Sequence, residues 1–481
     1  MSPLHSASSS PTSRGSQRGS DVRALVHGLA VAGESTVRAL QRRGWTVTVS
    51  DDRDDEAVIG RAAELGLELI VAPAHALLDE VDLFVPSPGV PESHGLVAAA
   101  HRRGVPIASE IELAYRWEQE RPDGPRPMLA VTGTDGKTTT TLLMVEMLEA
   151  AGLRAVAAGN TDVPLVDAIE TEVDVFVVEC TSFRLTWTQR FRAEAAVWLN
   201  LAEDHLDWHD SLSTYIAAKA RIFELQAPTD VAIGLVSDPV VMEHLSNAPA
   251  RRCTFGATGA DYHVAGGRLV GPHGEIAEVA RMRRSLPHDL TNALAAAAAV
   301  LETGLATTEH VARALATFTG PRHRIEHIAT TGSGERGRVQ WYDDSKATTP
   351  HAASVALRGF DPVVLLAGGR NKGLDFAPMV DEAHRLRAVV AVGEAAEQIR
   401  AAFAGHVPVA TAHSMADAVA TAAGFAHPGD TVLLSPGCAS WDWYPSGGYA
   451  ARGDAFRAAV LDLPGASVPE TLVPIDRQES P

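Results

Sequence analysis

The sequence predicts an α/β protein built of three doubly wound blocks, and three observations carry that expectation. Short apolar runs alternate with amphipathic helical stretches along most of the chain, which implies parallel sheets flanked by helices. Polar, glycine-rich turns follow many of those runs, at the edge where open α/β sheets bind ligands. Two Pro/Gly joints, ERPDGPR at 120–126 and Gly320-Pro321, divide the pattern into blocks.

The expected blocks span 21–121, 122–320 and 321–481. Residues 1–20 are rich in Ser, Pro, Arg and Gly, lack an apolar signal core, and read as a disordered tail. In the first block, 24–26, 46–49, 68–71 and 82–85 read as strands, with a helix over 34–43 that stops at Gly44. The second block has strands at 128–131, 173–178 and 196–199. Its helices are expected at 141–150, 214–225, 291–302 and 309–318. The third has strands at 339–342, 363–366, 388–392 and 432–434, and a loose tail after Leu463 marked by Pro464, Pro469 and Pro474.

Composition narrows the function classes. A chain of 481 residues that is 46% hydrophobic and 21% charged can bury large cores. A formal charge of -19 argues against a general nucleic-acid or anionic-membrane binder. Any anionic nucleotide must therefore be held by local loops, lysines and metal ions. Cys180, Cys253 and Cys438 are far apart, which fits a reducing cytoplasm and no metal-binding cysteine cluster. No run approaches the ~20 apolar residues that span a bilayer.

The strongest motif is GTDGKTTT at 133–140, between a predicted strand and a predicted helix. Glycines let backbone N–H groups approach phosphate oxygens, and the helix N-terminus adds its positive dipole end. Lys137 can meet the terminal phosphates, and a hydroxyl of Thr138 or Thr139 can face Mg²⁺. The earlier glycine of the full phosphate-loop pattern is Val131, so the loop is a shortened form. Glu179 ends an apolar strand in the same block, the usual Mg²⁺ position in phosphoryl transfer, although a helix cap would use the same residue. The loop 200–207, NLAEDHLD, crowds polar groups, with His205 as its one neutral donor or ligand at pH 7. Lys219 lies in a helical run, where a lysine is ordinarily a solvated charge. Asn160 reads as a turn residue.

The turn Gly28-Leu29-Ala30-Val31-Ala32-Gly33 resembles a dinucleotide fingerprint with Ala30 at the middle glycine, and Asp51 follows at the spacing of a ribose ligand. Three readings stand side by side: a nicotinamide site, a tight turn that binds nothing, and an edge for a uridine nucleotide. Ser87-Pro88-Gly89 caps another strand at that edge. In the third block, Arg322 and Arg324 flank the joint and can reach a phosphate across a cleft or pin the hinge. The turns at 343–348, 368–373 and 435–440 each follow a parallel strand and converge on one carboxyl edge.

Taken in order, GTDGKTTT, Gly159-Asn160, VVECTSF (177–183), NLAEDHLD, YIAAKARIF (215–223), TNALAA (291–296), GPRHRIE (320–326), DDSKATTP (343–350), LAGGRNKG (366–373) and LLSPGCASWD (433–442) resemble the bacterial Mur ligases. The likeness runs over about 22–456 and is similar in detail to the D-glutamate-adding branch. It implies a Rossmann-like UDP-binding domain, a central P-loop ATPase-like domain and a C-terminal Rossmann-like domain. It implies a monomeric cytoplasmic enzyme of peptidoglycan synthesis, serving cell wall, cell shape and division. The implied reaction adds D-glutamate to UDP-N-acetylmuramoyl-L-alanine through an acyl phosphate, with ATP and two Mg²⁺ sites.

By that resemblance, Gly133, Thr134, Asp135, Gly136, Lys137, Thr138, Thr139, Asn292, Arg324 and Asp344 would bind ATP. Thr139, Glu179, His205 and a carbamylated Lys219 would hold the metal ions. Val31, Ala32, Asp51, Ser87, Gly89, Asn160, Thr181 and His205 would meet the UDP substrate. Lys346, Thr348, Lys372, Ser440 and Tyr449 would surround D-glutamate. Two departures stand out. Thr181-Ser182-Phe183-Arg184 replaces the usual Ser-Ser-Phe-Gln, which puts Arg184 at a substrate-contact position, and 443–449 is longer than usual before Arg452. Outside the D-glutamate branch, the sequence leaves open a ligase for another amino acid or for folate, a nicotinamide oxidoreductase, and a non-catalytic nucleotide binder.

Overall fold

The computed structural model describes residues 22–206, 208–332 and 337–468. The predicted N-terminal tail, Asp207 and the chain after residue 468 lie outside the described residues. Three sheets follow one another along the chain.

The first sheet has the order Leu69–Val71, Thr46–Asp51, Arg23–His27, Leu83–Pro86, all parallel. Alternation decides which side each residue meets: Ala24 and Val26 enter one apolar core, Leu25 and Phe84 another. The first of these cores also takes Met128, Ala130, Phe176 and Val178 of the second sheet, so the first and second sheets share buried contacts.

The second sheet is mixed and has nine strands. Its parallel centre runs Val231–Leu235, Ala195–Trp198, Met128–Thr132, Val175–Glu179, Ala155–Gly159. Met128 and Ala130 face one side, Leu129 and Val131 the other, and both sides are fully buried. That is why these strands read as continuous apolar runs rather than as alternating ones. Helices Lys137–Ala150, Pro287–Glu302 and Thr308–Thr317 cover the Leu129 side. Helix Leu212–Glu224 covers the other. The edge continues through Arg251–Gly256 and Tyr262–Ala265 into the antiparallel strands Arg268–Gly271 and Gly274–Glu278.

The third sheet has the order Glu326–Thr331, Val339–Asp343, Thr431–Leu434, Val363–Gly368, Leu386–Val392, Val409–Thr411. Only the first pair is antiparallel. The strands Val339–Asp343, Thr431–Leu434 and Val363–Gly368 are neighbours, so the three predicted turns that follow them do share one carboxyl edge. No helix among the described residues is long and apolar enough to cross a membrane. The three cysteines are free and buried.

Candidate active site

The loop after Met128–Thr132 is fixed by its neighbours. Gly133 and Gly136 have φ of +153° and +84°, and a Cβ on Gly136 would lie 2.6 Å from Asn292 Oδ1. Glycine is therefore required by backbone conformation and by the packing of Asn292. Asn200 clamps the loop from the next strand: its Oδ1 accepts from the N–H groups of Thr134 and Asp135 at 3.0 and 2.9 Å. Asn200 stood inside a predicted polar loop but was not expected as a site residue.

Lys137 opens the helix Lys137–Ala150 and folds back, its Nζ donating to the carbonyls of Gly133 and Thr134 at 2.9 and 2.8 Å. Burial lowers its pKa against the pull of Glu179 and Asp135. Thr139 is buried in the same helix. Lys219 is the surprise of this region. Helical pattern alone makes it a solvated lysine, yet it is 1% exposed. Its Nζ donates to Gly133 O at 2.7 Å and lies 4.5 Å from the ring centroid of Tyr215. Burial first, and the Lys137 charge second, hold its pKa well below the ordinary lysine value.

Glu179 ends its strand beside Val131 and Gly159 and is fully buried. One carboxylate oxygen, Oε1, accepts from Asn160 Nδ2 at 2.8 Å. The other, Oε2, is buried with no hydrogen-bond partner among the described residues. A buried anionic oxygen left without a donor suits a cation. The residues present therefore fit the Mg²⁺ position expected for Glu179. Gly159 lets the strand pass: a Cβ there would meet Glu179 O at 2.6 Å.

Asn160 is more than a turn residue. Its Oδ1 accepts from Arg184 Nη1 at 2.7 Å, and Arg184 Nε donates to Glu110 Oε1 at 3.1 Å. Glu110, Arg184, Asn160 and Glu179 thus form one chain of hydrogen bonds. Burial pushes the Glu110 carboxyl up, against the charge of Arg184. Glu110 lies 74 residues from Arg184, and nothing local marked it. Arg184 and Phe183 line a small cleft with Ala32, Ser87, Ser109 and Glu110, which joins central-domain residues to the first-domain edge. Thr181 precedes the short helix Ser182–Thr186 and is buried there.

His205 has φ of +57° and is half-buried. Its Nε2 lies 3.2 Å from Asp204 Oδ2, and its ring meets Phe183 edge-on with centroids 4.6 Å apart. Another histidine, His209, escaped the sequence reading. It is buried between Ser182 Oγ at 2.9 Å and Glu92 Oε2 at 3.4 Å. Ser182 is equally buried, so this serine, histidine and glutamate seal a joint between domains.

The first-domain edge is arranged differently from a dinucleotide site. Asp51 Oδ2 accepts from Leu29 N–H at 2.7 Å, and Arg53 bonds both carboxylate oxygens. Burial raises the Asp51 pKa, but these bonds outweigh it and hold it at about 2. Ser87 Oγ donates to Gly28 O, and a Cβ on Gly33 would collide with the same carbonyl at 2.0 Å. The glycines thus serve close packing of the turn. Val31 and Gly89 are exposed at this edge, and Ala32 lines the cleft.

The third domain reaches the phosphate loop at two points. Arg324 Nη2 donates to Thr138 Oγ1 at 3.2 Å, and His351 Nδ1 lies 3.1 Å from Asp135 Oδ2. Asp344 is buried close behind, accepting from Ser435 Oγ at 2.8 Å. Burial pushes its carboxyl up to about 7, against Ser435 and Arg324. Arg322 pairs instead with Asp454. Arg452 ties the three carboxyl-edge turns together, bonding Ser345 Oγ and O, Gly368 O and Cys438 O. The turns at 368–373 and 435–440 also pair through Arg370 and Ala439. On this frame Lys346 Nζ sits 3.7 Å from the Tyr449 ring centroid, Thr348 is half-buried, Ser440 is buried and Lys372 is exposed.

Three family descriptions match along the chain: "Mur ligase MurD-like, N-terminal domain" at 22–109, "Mur ligase middle domain" at 131–300 and "Mur ligase, glutamate ligase domain" at 323–438. A UDP-N-acetylmuramoylalanine–D-glutamate ligase of Frankia casuarinae is 42% identical, over 91% of this chain and 93% of its own. This chain belongs to the Mur ligase family. A ligase of the same name from Streptomyces coelicolor is 38% identical over 91% of this chain and 97% of its own. Among solved structures, a UDP-N-acetylmuramate–alanine ligase of Thermotoga maritima superposes with a TM-score of 0.54 at 16% identity, covering 90% of this chain and 98% of that one. A MurF of Acinetobacter baumannii gives 0.55 at 16%, covering 91% and 93%. At that identity the structures speak for the fold alone, the three-domain Mur ligase architecture.

Proposed function

We propose that this chain is an ATP-dependent ligase that joins D-glutamate to UDP-N-acetylmuramoyl-L-alanine in peptidoglycan synthesis, acting in the cytoplasm. The name shared by its relatives at 38–42% identity supports the substrates. One observation carries the chemistry: Arg324 of the third domain bonds Thr138 of the phosphate loop, beside Lys137 and the unpartnered Oε2 of Glu179.

A carboxylate acylates poorly because its leaving group would be oxide. The substrate carboxylate therefore attacks the terminal phosphorus of ATP, which forms an acyl phosphate and releases ADP. Lys137, Arg324 and the N–H groups at the start of the helix Lys137–Ala150 would offset the charge of the transferring phosphoryl group. The D-glutamate amine then attacks the acyl carbon, phosphate leaves, and the amine loses a proton as the amide forms. Lys346, Thr348, Ser440 and Lys372 would hold the two carboxylates of D-glutamate, with Tyr449 against Lys346. Contact of the third domain with the phosphate loop keeps water from the acyl phosphate.

Glu179 Oε2, the Thr139 hydroxyl, His205 and a carbamylated Lys219 would hold Mg²⁺, which when bound spreads phosphoryl charge. Val31, Ala32, Asn160 and Thr181 would meet the UDP substrate, together with Gly89. Asp51 and Ser87 would shape that site through Leu29 and Gly28 rather than through free polar groups. Asn292 and Asp344 would face the nucleotide. A nicotinamide reading of residues 28–33 gains no support, because the turn packs on itself.

Phosphate release from ATP tests the reading. It is expected to need both UDP-N-acetylmuramoyl-L-alanine and D-glutamate, and to disappear in Lys137→Ala. Wild-type turnover in that variant would remove the phosphate-loop role.

A further inference from the structure

We propose that His27, Asp52 and His94 form a binding site for a divalent transition metal of the zinc class, separate from the Mg²⁺ position at Glu179. Nothing in the ligase chemistry above uses these three residues.

Their candidate ligand atoms all lie within 4.8 Å of one another. His94 Nε2 is 3.1 Å from Asp52 Oδ2, and His27 Nε2 is 3.7 Å from Asp52 Oδ1. Metal–ligand bonds of about 2.1 Å at tetrahedral angles put neighbouring ligand atoms about 3.4 Å apart. The two spacings run to different oxygens of the same carboxylate and bracket that value, as for a carboxylate that offers a metal either one oxygen or both. The residues come from three separate elements. His27 ends the strand Arg23–His27, Asp52 follows the strand Thr46–Asp51, and His94 precedes the helix Gly95–Arg103. Tertiary packing, not local sequence, brings them together.

The surrounding bonds favour coordination at His27. Its Nδ1 lies 2.9 Å from Ser50 Oγ, directly across the parallel pair. A hydroxyl accepting the Nδ1 proton leaves the Nε2 lone pair turned toward Asp52 and His94, as metal-bound imidazoles are oriented. The His27 ring is buried and stands 4.7 Å from that of His94, whereas Asp52 is 60% exposed. An ion can enter from the Asp52 side, and solvent can complete its shell. The neighbouring acid, Asp51, is already engaged by Arg53 and Leu29 and adds no ligand.

One bond is exchanged on binding. His94 Nδ1 accepts from Leu96 N–H at 3.2 Å, which puts the ring proton on Nε2. Coordination through Nε2 moves that proton to Nδ1 and gives up the helix cap, with no net proton released from the neutral ring. Two imidazoles and one carboxylate select zinc, cobalt or nickel over magnesium, which prefers oxygen alone.

The test is calorimetric titration of the full chain with Zn²⁺ in excess Mg²⁺, followed by the visible spectrum of the Co²⁺ form. One equivalent is expected in the wild type. Asp52→Asn, at an exposed position, and His27→Ala are each expected to weaken it about 100-fold. Co²⁺ should give intense tetrahedral bands that both variants lose. Zinc binding of wild-type strength in Asp52→Asn, or its displacement by Mg²⁺, would overturn the proposal.

Discussion

Lys137 and Lys219 donate to the same carbonyl oxygen, that of Gly133, from 2.9 and 2.7 Å. Two ammonium groups converging on one buried acceptor repel each other. The cost falls on Lys219, whose pKa burial and Lys137 hold far down. A neutral amine is the form that can add carbon dioxide with loss of a proton, and a carbamate at Lys219 would place an anion beside the phosphate loop. Lys219→Ala is therefore expected to lose about 100-fold or more in turnover, as when one stabilising group is removed from such a site. Short carboxylic acids should restore part of it. Full activity in the variant would leave the helix as scaffold only.

The Arg184 relay gives a second expectation. Arg184 fixes the Asn160 amide so that Nδ2 faces Glu179 Oε1, which leaves Oε2 for the cation. Arg184→Gln should weaken Mg²⁺ or Mn²⁺ binding about 10-fold, the usual cost of disturbing an orienting partner. Manganese binding followed by electron paramagnetic resonance reads this without turnover. Arg184→Ala should instead destabilise the fold, because Glu110 would be left as a buried, unpaired carboxyl. Pairing it with Glu110→Gln should recover stability but not metal affinity. Unchanged manganese affinity in Arg184→Gln would refute the relay.

Contact between the third domain and the phosphate loop should depend on pH through His351 and Asp135. The hydrogen bond and charge of Asp135 raise His351 above 6.5 despite burial. Burial pushes Asp135 up, but His351, Lys137 and Arg324 outweigh it and hold it below 3.8. Stability from His351 is complete below 6.5 and fades as pH rises through its folded value. Stability from Asp135 is present above 3.8 and fades as pH falls through its folded value. The contact is strongest between those limits. Both side chains are partly exposed, so the gain is a few tenths of a kcal/mol. The melting difference between wild type and His351→Ala should peak in that window and vanish at high pH. A difference that is flat with pH would exclude the pair.

What the sequence made legible was local. GTDGKTTT joins a strand to a helix as expected, although the helix starts at Lys137, four residues before the expected 141, so only Gly133–Gly136 form the turn. The three carboxyl-edge turns of the third block were equally readable from the apolar runs before them. Residues whose meaning comes from distant partners were not. Lys219 looked solvated because helical spacing does not say which face a tertiary contact will cover. Glu110, His209, Asn200 and His351 act through partners far along the chain. Asp51 and Ser87 sat at the right edge, yet the fold uses their oxygens on Leu29, Arg53 and Gly28. The antiparallel strands Arg268–Gly271 and Gly274–Glu278 were missed because exposed edge strands carry a weak apolar signal.

Amino-acid choice is the most direct measurement of what this enzyme does. The proposed D-glutamate residues Lys346, Thr348, Ser440 and Lys372 would offer two cations and two hydroxyls beside the turns that Arg452 ties together, which would suit a substrate with two carboxylates. Initial rates of phosphate release should be measured with ATP, Mg²⁺ and UDP-N-acetylmuramoyl-L-alanine, adding in turn D-glutamate, L-glutamate, D-aspartate, L-alanine and L-lysine. D-Glutamate is expected to support turnover, with L-alanine and L-lysine at background and L-glutamate far behind. Turnover with L-alanine or L-lysine and none with D-glutamate would contradict it.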